Sequence, residues 1–356
     1  MSLRYNRQTI LKGFGAEKQK KLTNAKVLVI GAGGLGVPVL TYLNAMGVGS
    51  LGIVDADEVS LSNLHRQVLY NESEVGKSKV AIALEKLNAQ NSATKISIHD
   101  TFLTRENALG IIKNYDLVVD ATDNFPTRYL INDACVILKK PFVYGALHGF
   151  EGQVSVFNYQ GGPTYRCLFP KMPSAVEIPN CNEHGVLGVI PGIIGNLQTL
   201  EVVKILTGIG EVLSGKLLLF NGLEQNYQKI KFSAIPENLK IKDLQQDYNF
   251  ECGSIGNTIE ANEFELLFKT ENLQVIDVRT IQEYGKFHLK NTLNHPLDEI
   301  GSWKDSIDYN VPIYLICEVG IRSWKALLYL QKHNPNAVFY NVTGGINQLS
   351  TYVAKH

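Results

Sequence analysis

The segment Val27-Leu-Val-Ile-Gly-Ala-Gly-Gly-Leu-Gly36 joins a short apolar run to a glycine-rich turn, and this pattern indicates the fold of the first half of the chain. Its four leading apolar residues predict a short buried strand, and the glycines that follow allow a tight turn into a helix over residues 35–46. Residues 51–54 predict a second strand, which Asp55 follows, 19 residues after Gly36. This order is typical of a βαβ unit whose turn approaches a phosphate while the acid accepts hydrogen bonds from ribose hydroxyls.

Strands and helices continue to alternate beyond this unit. We predict further strands at residues 96–98, 117–119, 142–144 and 154–159, helices at residues 79–87 and 193–206, and a strand at residues 217–220 that closes the sheet. Alternation of this kind predicts an α/β fold with a doubly wound, Rossmann-like parallel sheet.

A change of composition divides the chain into two domains. Residues 233–257 are polar and contain proline and glycine, which predicts a linker. The first domain then spans residues 1–232. A second, smaller α/β domain spans residues 258–356, a length that is sufficient for independent folding.

Composition and charge argue against several classes of protein. The 356 residues include 34 Lys and Arg against 34 Asp and Glu, and this net charge of +0 disfavours binding to nucleic acid or to an anionic membrane. The longest uncharged apolar stretch, residues 185–200, is shorter than the roughly 18–20 residues of a membrane span, and the amino terminus lacks a signal peptide pattern. Five cysteines are too few for a disulfide framework. We therefore expect a cytoplasmic protein with reduced thiols.

Charged residues after the glycine turn help to distinguish among nucleotides. Asn63 and Arg66 come shortly after Asp55, Lys79 begins a predicted helix, and Asp123 follows a predicted strand. ATP carries about four charges near neutral pH, against about two on the pyrophosphate of NAD, so additional cations favour ATP. A carboxylate at the carboxyl end of a strand can hold a magnesium ion that bridges phosphates. Taken singly, each cation is more typical of a solvated surface.

Two other classes of protein stay open at this point. An NAD- or FAD-dependent oxidoreductase explains the glycine turn and Asp55 but leaves Arg66, Lys79 and Asp123 without a role. A non-catalytic binding module with a degenerate site is the second alternative, and the completeness of the charged set argues against it. ATP-dependent pyrophosphate exchange without cofactor absorbance distinguishes the enzyme that we favour from both alternatives.

Six short motifs occur in order at residues 4–8, 31–36, 55–57, 62–67, 76–79 and 122–124. Together they resemble the sulfur-carrier adenylyltransferases of the MoeB and ThiF type, which are relatives of the ubiquitin-activating enzymes. The resemblance covers residues 4–232. It implies that ATP is bound by a set of glycines and polar residues: Gly31, Gly33, Gly34, Gly36, Asp55, Asn63, Arg66, Lys79, Asp123 and Asn124.

The same resemblance implies how these residues act. Arg66, Lys79 and Asp123 are expected to be catalytic, with Asp123 holding magnesium beside the ATP. The family is also expected to form a homodimer, in which Arg7 reaches the phosphates of the neighbouring subunit. The family's substrate is a small β-grasp protein that ends in Gly-Gly.

The remaining cysteines before the second domain carry separate predictions. Cys181 resembles the family's adenylation-domain cysteine, which can take the acyl group or join a sulfur relay, and an unreactive loop thiol is the equal alternative. Many relatives bind a structural zinc ion through two Cys-x-x-Cys pairs. Here Cys167 and Cys252 are each the only cysteine left of a pair, so we expect no zinc. Cys135 lies in an apolar helical segment and is expected to be a core residue.

Cys317 lies between a predicted strand at residues 313–316 and a predicted helix at residues 323–332. The backbone N–H groups of such a loop, the helix dipole and Arg322 would stabilise an anionic persulfide. On its own, however, the cysteine is more typical of a structural position at the end of a strand.

Further motifs at residues 275–279, 283–284, 288 and 344–346 accompany Cys317 in the order and spacing of a rhodanese domain, and this resemblance covers residues 258–356. It implies that Cys317 carries a persulfide and that Asp277 and Arg279 form a structural charge pair. Two departures from the family are Glu318, which follows the thiol directly, and Leu349, which stands near the family's tryptophan. Because Glu318 should disfavour anionic donors such as thiosulfate, we expect the donor to be a protein persulfide, such as that of a cysteine desulfurase.

The two domains together predict one reaction sequence. The first adenylates the terminal carboxylate of a sulfur carrier, and a persulfide of the second converts it to a thiocarboxylate, with Cys181 as a candidate reductant. The favoured carrier is of the molybdopterin-synthase small-subunit type, on resemblance alone. The thiamine sulfur carrier and a tRNA-thiolation carrier are the alternatives.

Overall fold

The computed structural model describes residues 3–173, 185–246, 248, 257–349 and 353–355. These residues form two compact units. The first contains residues 3–172, 185–246 and 248, and the second contains residues 173, 257–349 and 353–355.

The described part of the first unit is built on an eight-stranded sheet with the order β3-β2-β1-β4-β5-β6-β7-β8. The first five strands in chain order run parallel, and the last three pair antiparallel. The strands are β1 (Lys26–Ile30), β2 (Ser50–Val54), β3 (Lys95–His99), β4 (Leu117–Asp120), β5 (Phe142–His148), β6 (Glu151–Phe157), β7 (Lys216–Asn221) and β8 (Asn226–Lys231). The prediction of a doubly wound, mainly parallel sheet is confirmed.

The sheet does not close at residues 217–220 as predicted. A further strand, β8, pairs antiparallel with β7 and forms the edge. In the turn between them, the side-chain oxygen of Asn221 accepts hydrogen bonds from the backbone N–H groups of Leu223 and Glu224. The mostly polar strand was missed because an exposed edge strand lacks the apolar pattern that marks a buried one.

Helices cover both faces of this sheet. Those described in the first unit are α1 (Asn6–Thr9), α2 (Gly15–Asn24), α3 (Gly36–Ala45), α4 (Lys79–Gln90), α5 (Ala108–Ile112), α6 (Phe125–Ile137), α7 (Tyr165–Leu168) and α8 (Val189–Thr207). Among the described helices, α8 is the one that is long and apolar enough to cross a membrane, and half of its apolar window is buried in the fold.

Strand β1 shows how the layers form. Its side chains alternate, so that Val27 and Val29 enter one hydrophobic core while Leu28 and Ile30 enter the core on the opposite face. The strand lies between β2 and β4, which places the reversal of strand order beside it. A crevice at the carboxyl ends of the strands on either side of such a reversal is the usual ligand site of an open α/β sheet.

The second unit has a five-stranded parallel sheet with the order β12-β10-β13-β14-β9. Its strands are β9 (Asn257–Glu260), β10 (Gln274–Asp277), β12 (Leu293–Asn294), β13 (Ile313–Ile316) and β14 (Phe339–Thr343), and an antiparallel pair is formed by β11 (Phe287–Leu289) and β15 (Val353–Lys355). Its helices are α9 (Ala261–Thr270), α10 (Ile281–Lys286), α11 (Ile300–Trp303) and α12 (Ile321–His333). The prediction of a second, smaller α/β domain is confirmed.

Part of the predicted linker packs on the first unit. Residues Pro236–Leu239 form a short 3₁₀ helix. Tyr248 is buried, and its hydroxyl donates a hydrogen bond of 2.8 Å to Asp133 in α6. Asp133 also binds Arg166 through two hydrogen bonds of 2.7 and 2.8 Å. This buried carboxylate therefore fastens the segment near Tyr248 to the first unit.

Candidate active sites

The glycine turn after β1 lies at the carboxyl edge of the first sheet. Ile30 pairs with Val54 on one side and with Asp120 on the other, so the segments that follow these three residues lie side by side. Gly31 has a φ of +101°, and a Cβ there would lie 2.6 Å from the carbonyl oxygen of Ala121. This close approach of the two loops requires glycine at position 31.

The rest of the turn is equally close to its neighbours. A Cβ on Gly36 would lie 1.9 Å from the carbonyl oxygen of Gly31, which fixes the start of α3. A Cβ on Gly34 would lie 3.0 Å from Pro191 and 3.5 Å from the side chain of Arg66, and a Cβ on Gly33 would lie 3.4 Å from the side chain of Gln67. The turn is therefore covered by the segment that contains Arg66 and Gln67.

The carboxylate of Asp55 is hydrogen-bonded to the backbone of the glycine turn. One carboxylate oxygen accepts a 2.7 Å hydrogen bond from the backbone N–H of Ala32, and the other accepts a 2.8 Å bond from the N–H of Asp57. Tyr70 adds a 2.9 Å hydrogen bond from its hydroxyl to the carbonyl of Ala32. Burial raises the pKa of Asp55, although these amide hydrogen bonds oppose the shift. Each oxygen still has acceptor capacity for a ribose hydroxyl.

The two predicted cations have different surroundings. Lys79 is almost completely buried at the start of α4, and its Nζ lies 2.8 Å from Asp57. The Arg66 guanidinium is half-buried and donates a 2.7 Å hydrogen bond to Asn63 and a 3.2 Å bond to the carbonyl of Ser62. The sequence-predicted partners Asn63 and Arg66 are thus in direct contact beside the glycine turn.

The loop after β4 carries the predicted magnesium ligand. Asp123 is exposed there, and Asn124 caps α6 by accepting a 2.9 Å hydrogen bond from the N–H of Thr127. The geometry thus gives Asn124 a structural function in addition to the predicted contact with ATP. An exposed carboxylate at this edge suits magnesium, which prefers oxygen ligands and retains water molecules.

Below this loop lies a buried polar cluster that the sequence did not reveal. One oxygen of Asp120 accepts hydrogen bonds from the N–H and hydroxyl of Thr122, while the other is buried without a hydrogen-bond partner. Arg128, buried on α6, donates a 2.9 Å hydrogen bond to the carbonyl of Thr122. Burial raises the pKa of Asp120, and the charge of Arg128 opposes that shift. Asp120 and Arg128 hold the segment that leads to Asp123.

Three further residues were singled out in the sequence before the second domain, namely Arg7, Cys181 and Cys135. Arg7 is exposed on the short helix α1. Cys181 lies outside the described residues. Cys135 is buried in α6, where burial raises its pKa, and this agrees with its prediction as a core residue.

Cys167, the one cysteine left of a broken Cys-x-x-Cys pair, has several hydrogen-bond partners. Its sulfur accepts hydrogen bonds from the N–H groups of Ile235 at 3.2 Å and Thr164 at 3.4 Å. Burial alone would raise the pKa of Cys167, but these hydrogen bonds lower it overall. In the part of the chain that the structure describes, no group of three or more His, Cys, Asp and Glu side chains could hold a metal ion. Cys252 lies outside that part, so the expectation of no zinc stays a prediction.

Cys317 lies at the carboxyl end of the second sheet, between β13 and α12. It is 1% exposed, and its sulfur accepts hydrogen bonds from the N–H of Gly320 at 3.1 Å and the hydroxyl of Ser323 at 3.4 Å. Gly320 has a φ of +92°, which turns its N–H toward the sulfur. A loop of this kind at a helix N-terminus stabilises negative charge on the sulfur.

A glycine pair that follows the neighbouring strand β14 packs against the Cys317 loop. A Cβ on Gly345 would lie 2.4 Å from the carbonyl oxygen of Cys317 and 2.6 Å from the backbone of Glu318. The N–H of Ile346 donates a 2.8 Å hydrogen bond to the same carbonyl of Cys317, and Leu349 is buried nearby in the chain. The motif at residues 344–346 therefore supports the loop through its backbone.

Two charge pairs flank this loop. Asp277 and Arg279 are each 1% exposed and share several hydrogen bonds, the shortest of 2.7 Å. Arg322 donates two hydrogen bonds of 2.7 Å to the two oxygens of Glu283 and lies 3.6 Å from Glu318. The first pair fits the predicted structural role. The pairing of Glu283 with Arg322 was not anticipated, because 39 residues separate them in the sequence.

Comparison with known proteins identifies a family for each of the two units. The ThiF family model matches residues 5–240, and the model of the rhodanese-like domain matches residues 260–351. The chain belongs to the ThiF family and carries a rhodanese-like domain after its ThiF domain. The prediction of an adenylyltransferase with sulfurtransferase activity is confirmed by the names of its relatives.

Two of these relatives differ in how much of the chain they cover. The adenylyltransferase and sulfurtransferase MOCS3 of Culex quinquefasciatus is 41% identical over 92% of this chain and 81% of its own length. The sulfur carrier protein adenylyltransferase of Thermus thermophilus is 52% identical over 65% of this chain and 88% of its own length. Among solved structures, E. coli MccB with ATP superposes with a TM-score of 0.59 at 23% identity, over 66% of this chain and 73% of that one, which shows a shared fold.

Proposed function

We propose that the first unit uses ATP to adenylate the C-terminal glycine carboxylate of a small, ubiquitin-like sulfur carrier. The observation that carries this proposal is the convergence of the glycine turn, Asp55, the Asn63–Arg66 pair and Lys79 at one edge of the sheet. The names of the relatives support a sulfur carrier as the substrate, and the structural neighbour that was solved with ATP supports the nucleotide.

The chemistry of adenylation accounts for the charges. The carboxylate attacks the α-phosphorus of ATP, a bond to the pyrophosphate breaks, and the acyl-adenylate forms. Because two anions approach each other, cations must offset the repulsion and stabilise the departing pyrophosphate. Arg66 and Lys79 supply positive charge, and Asp123 would hold a magnesium ion that neutralises further charge. No general base is needed, since the carboxylate is already ionised.

The second unit supplies sulfur in this proposal. A persulfide on Cys317 attacks the acyl carbon and displaces AMP, which leaves an acyl disulfide between the carrier and Cys317. A second thiol then attacks the Cys317 sulfur, releases the carrier thiocarboxylate and forms a disulfide that an external thiol reduces. Cys181 is our candidate for that second thiol, and a cysteine desulfurase is our candidate donor of the persulfide.

We further propose a cytoplasmic homodimer in which Arg7 reaches the phosphates bound by the partner. The favoured carrier is of the molybdopterin-synthase small-subunit type. A thiamine or tRNA-thiolation carrier is the alternative, because such a carrier also ends in Gly-Gly and would present the same carboxylate to ATP.

Pyrophosphate exchange tests the adenylation step. With each candidate carrier and ATP, labelled pyrophosphate should enter ATP only when the correct carrier is present. Arg66→Ala and Asp123→Ala should abolish this exchange, while Arg105→Ala, a change at an exposed arginine outside the site, should leave it intact. Near-normal exchange in both site variants would refute the proposed site.

A further inference from the structure

The guanidinium of Arg322 is not free to attract anions to Cys317. Arg322 is the only basic residue of the segment from Cys317 to Ser323, and both oxygens of Glu283 accept hydrogen bonds of 2.7 Å from it. A bidentate pair of this geometry is among the strongest that arginine forms. The positive charge beside the sulfur is therefore matched by a negative one.

Glu283 is itself fixed in place. It forms a capping box at the start of α10, in which one carboxylate oxygen accepts hydrogen bonds from the N–H and the hydroxyl of Thr280 at 2.9 and 2.8 Å. The hydrogen bonds from Arg322 lower the pKa of Glu283 to about 2, so the carboxylate is ionised at any physiological pH. The Glu283–Arg322 pair is therefore neutral as a whole.

A second carboxylate, that of Glu318, gives the group formed by Glu283, Arg322 and Glu318 a net negative charge. Glu318 follows Cys317 directly, and one of its oxygens lies 3.6 Å from Arg322 with 52% of the side chain exposed. Arg322 therefore faces two carboxylates. The hydrogen bonds that Arg322 donates to Glu283 are the largest cause of the raised pKa of Arg322, and a negative charge on Cys317, earlier in the same loop, raises it further.

We propose that Glu283 determines the sulfur donor by neutralising Arg322, and that it thereby excludes small dianions such as thiosulfate from Cys317. This inference rests on the proposed role of Cys317 as the sulfur carrier. In the excluded reaction the Cys317 thiolate would attack the outer sulfur of thiosulfate, a new S–S bond would form, and sulfite would leave with the electron pair of the broken bond. A free guanidinium would offset the repulsion between these anions, whereas a paired one does not.

The first test measures charge at Cys317 without any sulfur transfer. Iodoacetate and iodoacetamide have nearly the same size but differ by one negative charge, so the ratio of their alkylation rates at Cys317 reports the local charge. Rates are measured on the full chain by mass spectrometry of the Cys317 peptide. Glu283→Gln keeps the capping box, because glutamine serves at that position as well as glutamate.

We expect Glu283→Gln to raise the iodoacetate-to-iodoacetamide ratio about threefold to tenfold, the effect of one charge a few ångströms away in a wet site. The double variant Glu283→Gln/Arg322→Gln removes one charge of each sign and should return the ratio to the wild-type value. Glu271→Gln, an exposed position just before the amino end of β10 and thus at the opposite edge of the sheet from Cys317, should leave it unchanged.

The second test uses thiosulfate itself. Sulfite release from thiosulfate, expressed as kcat/KM with cyanide as acceptor, should rise at least about threefold in Glu283→Gln and not in Glu271→Gln. An unchanged alkylation ratio and unchanged thiosulfate turnover in Glu283→Gln would overturn the inference. A ratio that stays high in the double variant would show that Glu283 does not act through Arg322, and would overturn it too. Failure of the proposed function shows separately, as carrier thiocarboxylate formation that survives loss of Cys317.

Discussion

Lys79 and Asp57 form an ion pair of 2.8 Å in which one partner is buried and the other is exposed: 4% of the Lys79 side chain and 56% of the Asp57 side chain are accessible. The ammonium group thus points out of the core toward the edge of the sheet where the glycine turn lies. In the proposed complex an ATP phosphate would compete with Asp57 for this ammonium group.

Replacing Asp57 should therefore have opposite effects on the free and the ATP-bound protein. We expect Asp57→Asn to lower the free energy of unfolding of the ATP-free protein by about 1–2 kcal/mol, because Lys79 loses its charged partner. The same variant should bind ATP at least as tightly as the wild type, since a competitor of the phosphates is gone. Denaturant unfolding and calorimetric titration with ATP measure the two effects. Weaker ATP binding in a folded variant would contradict competition.

Arg128 should act on the magnesium requirement through the loop that it holds. Its hydrogen bond to the carbonyl of Thr122 and its charge beside Asp120 fix the segment before Asp123. Arg128→Gln is expected to destabilise the protein by about 3 kcal/mol, because the buried carboxylate of Asp120 loses its compensating charge. Arg128→Lys should recover part of this loss.

The magnesium titration separates positioning from simple destabilisation. In Arg128→Lys, which retains the charge but not the fork of donors, the magnesium concentration that half-saturates pyrophosphate exchange should rise about tenfold. Asp123→Asn should raise it further, and Arg105→Lys should not change it. A wild-type magnesium dependence in the lysine variant would show that Arg128 only stabilises the fold.

Glycine 345 should be irreplaceable, in contrast to a second glycine of the same unit. Gly345→Ala places a Cβ 2.4 Å from the carbonyl of Cys317 at a φ of +61°, so we expect a loss of about 2–3 kcal/mol and slower alkylation of Cys317. Gly285→Ala meets nothing within 4 Å and should be neutral or slightly stabilising. The protein's two tryptophans, Trp303 and Trp324, both lie in the second unit, so their fluorescence reports its unfolding. Equal midpoints for the two variants would contradict the close packing seen here.

The ion pair of Glu283 predicts a pH dependence with a defined sign. Its folded-state pKa of about 2 lies below the ordinary 4.5, so its contribution to stability is complete above pH 4.5 and is lost as the pH falls toward 2. The midpoint of thermal unfolding, followed by tryptophan fluorescence, should therefore differ between wild type and Glu283→Gln near neutral pH. This difference should shrink as the pH is lowered below 4.5. A constant difference across that range would show that the carboxylate is not paired in solution.

The parts of the sites that could be predicted from the sequence are those in which two backbone segments lie in close contact. Glycine is required at positions 31, 36 and 345 because a Cβ there would overlap a neighbouring backbone segment. Such a requirement is visible in the sequence as a short glycine motif. The buried strands were equally predictable, since β1 is apolar on both faces.

What the sequence could not show depends on partners brought together by folding. Tyr70 donates a hydrogen bond to the glycine turn, and Arg128 donates one to the loop before Asp123. Glu283 pairs with Arg322, which is 39 residues away in the sequence. No local pattern encodes such pairs, because an isolated Arg or Glu has the same sequence appearance whether it is solvated or buried in a pair. The edge strand β8 was missed for the related reason that a mostly polar strand resembles a loop.

The proposed reaction sequence requires that the first unit activates the carrier's tail and that Cys317 alone delivers the sulfur to it. The most direct test incubates the carrier with ATP, magnesium and a protein persulfide donor, without free sulfide, and measures the intact mass of the carrier. Wild-type protein should exchange one oxygen of the carrier terminus for sulfur, whereas Cys317→Ser should accumulate the adenylate and form no thiocarboxylate. Thiocarboxylate at the wild-type yield in Cys317→Ser, or no adenylate with either protein, would contradict the account.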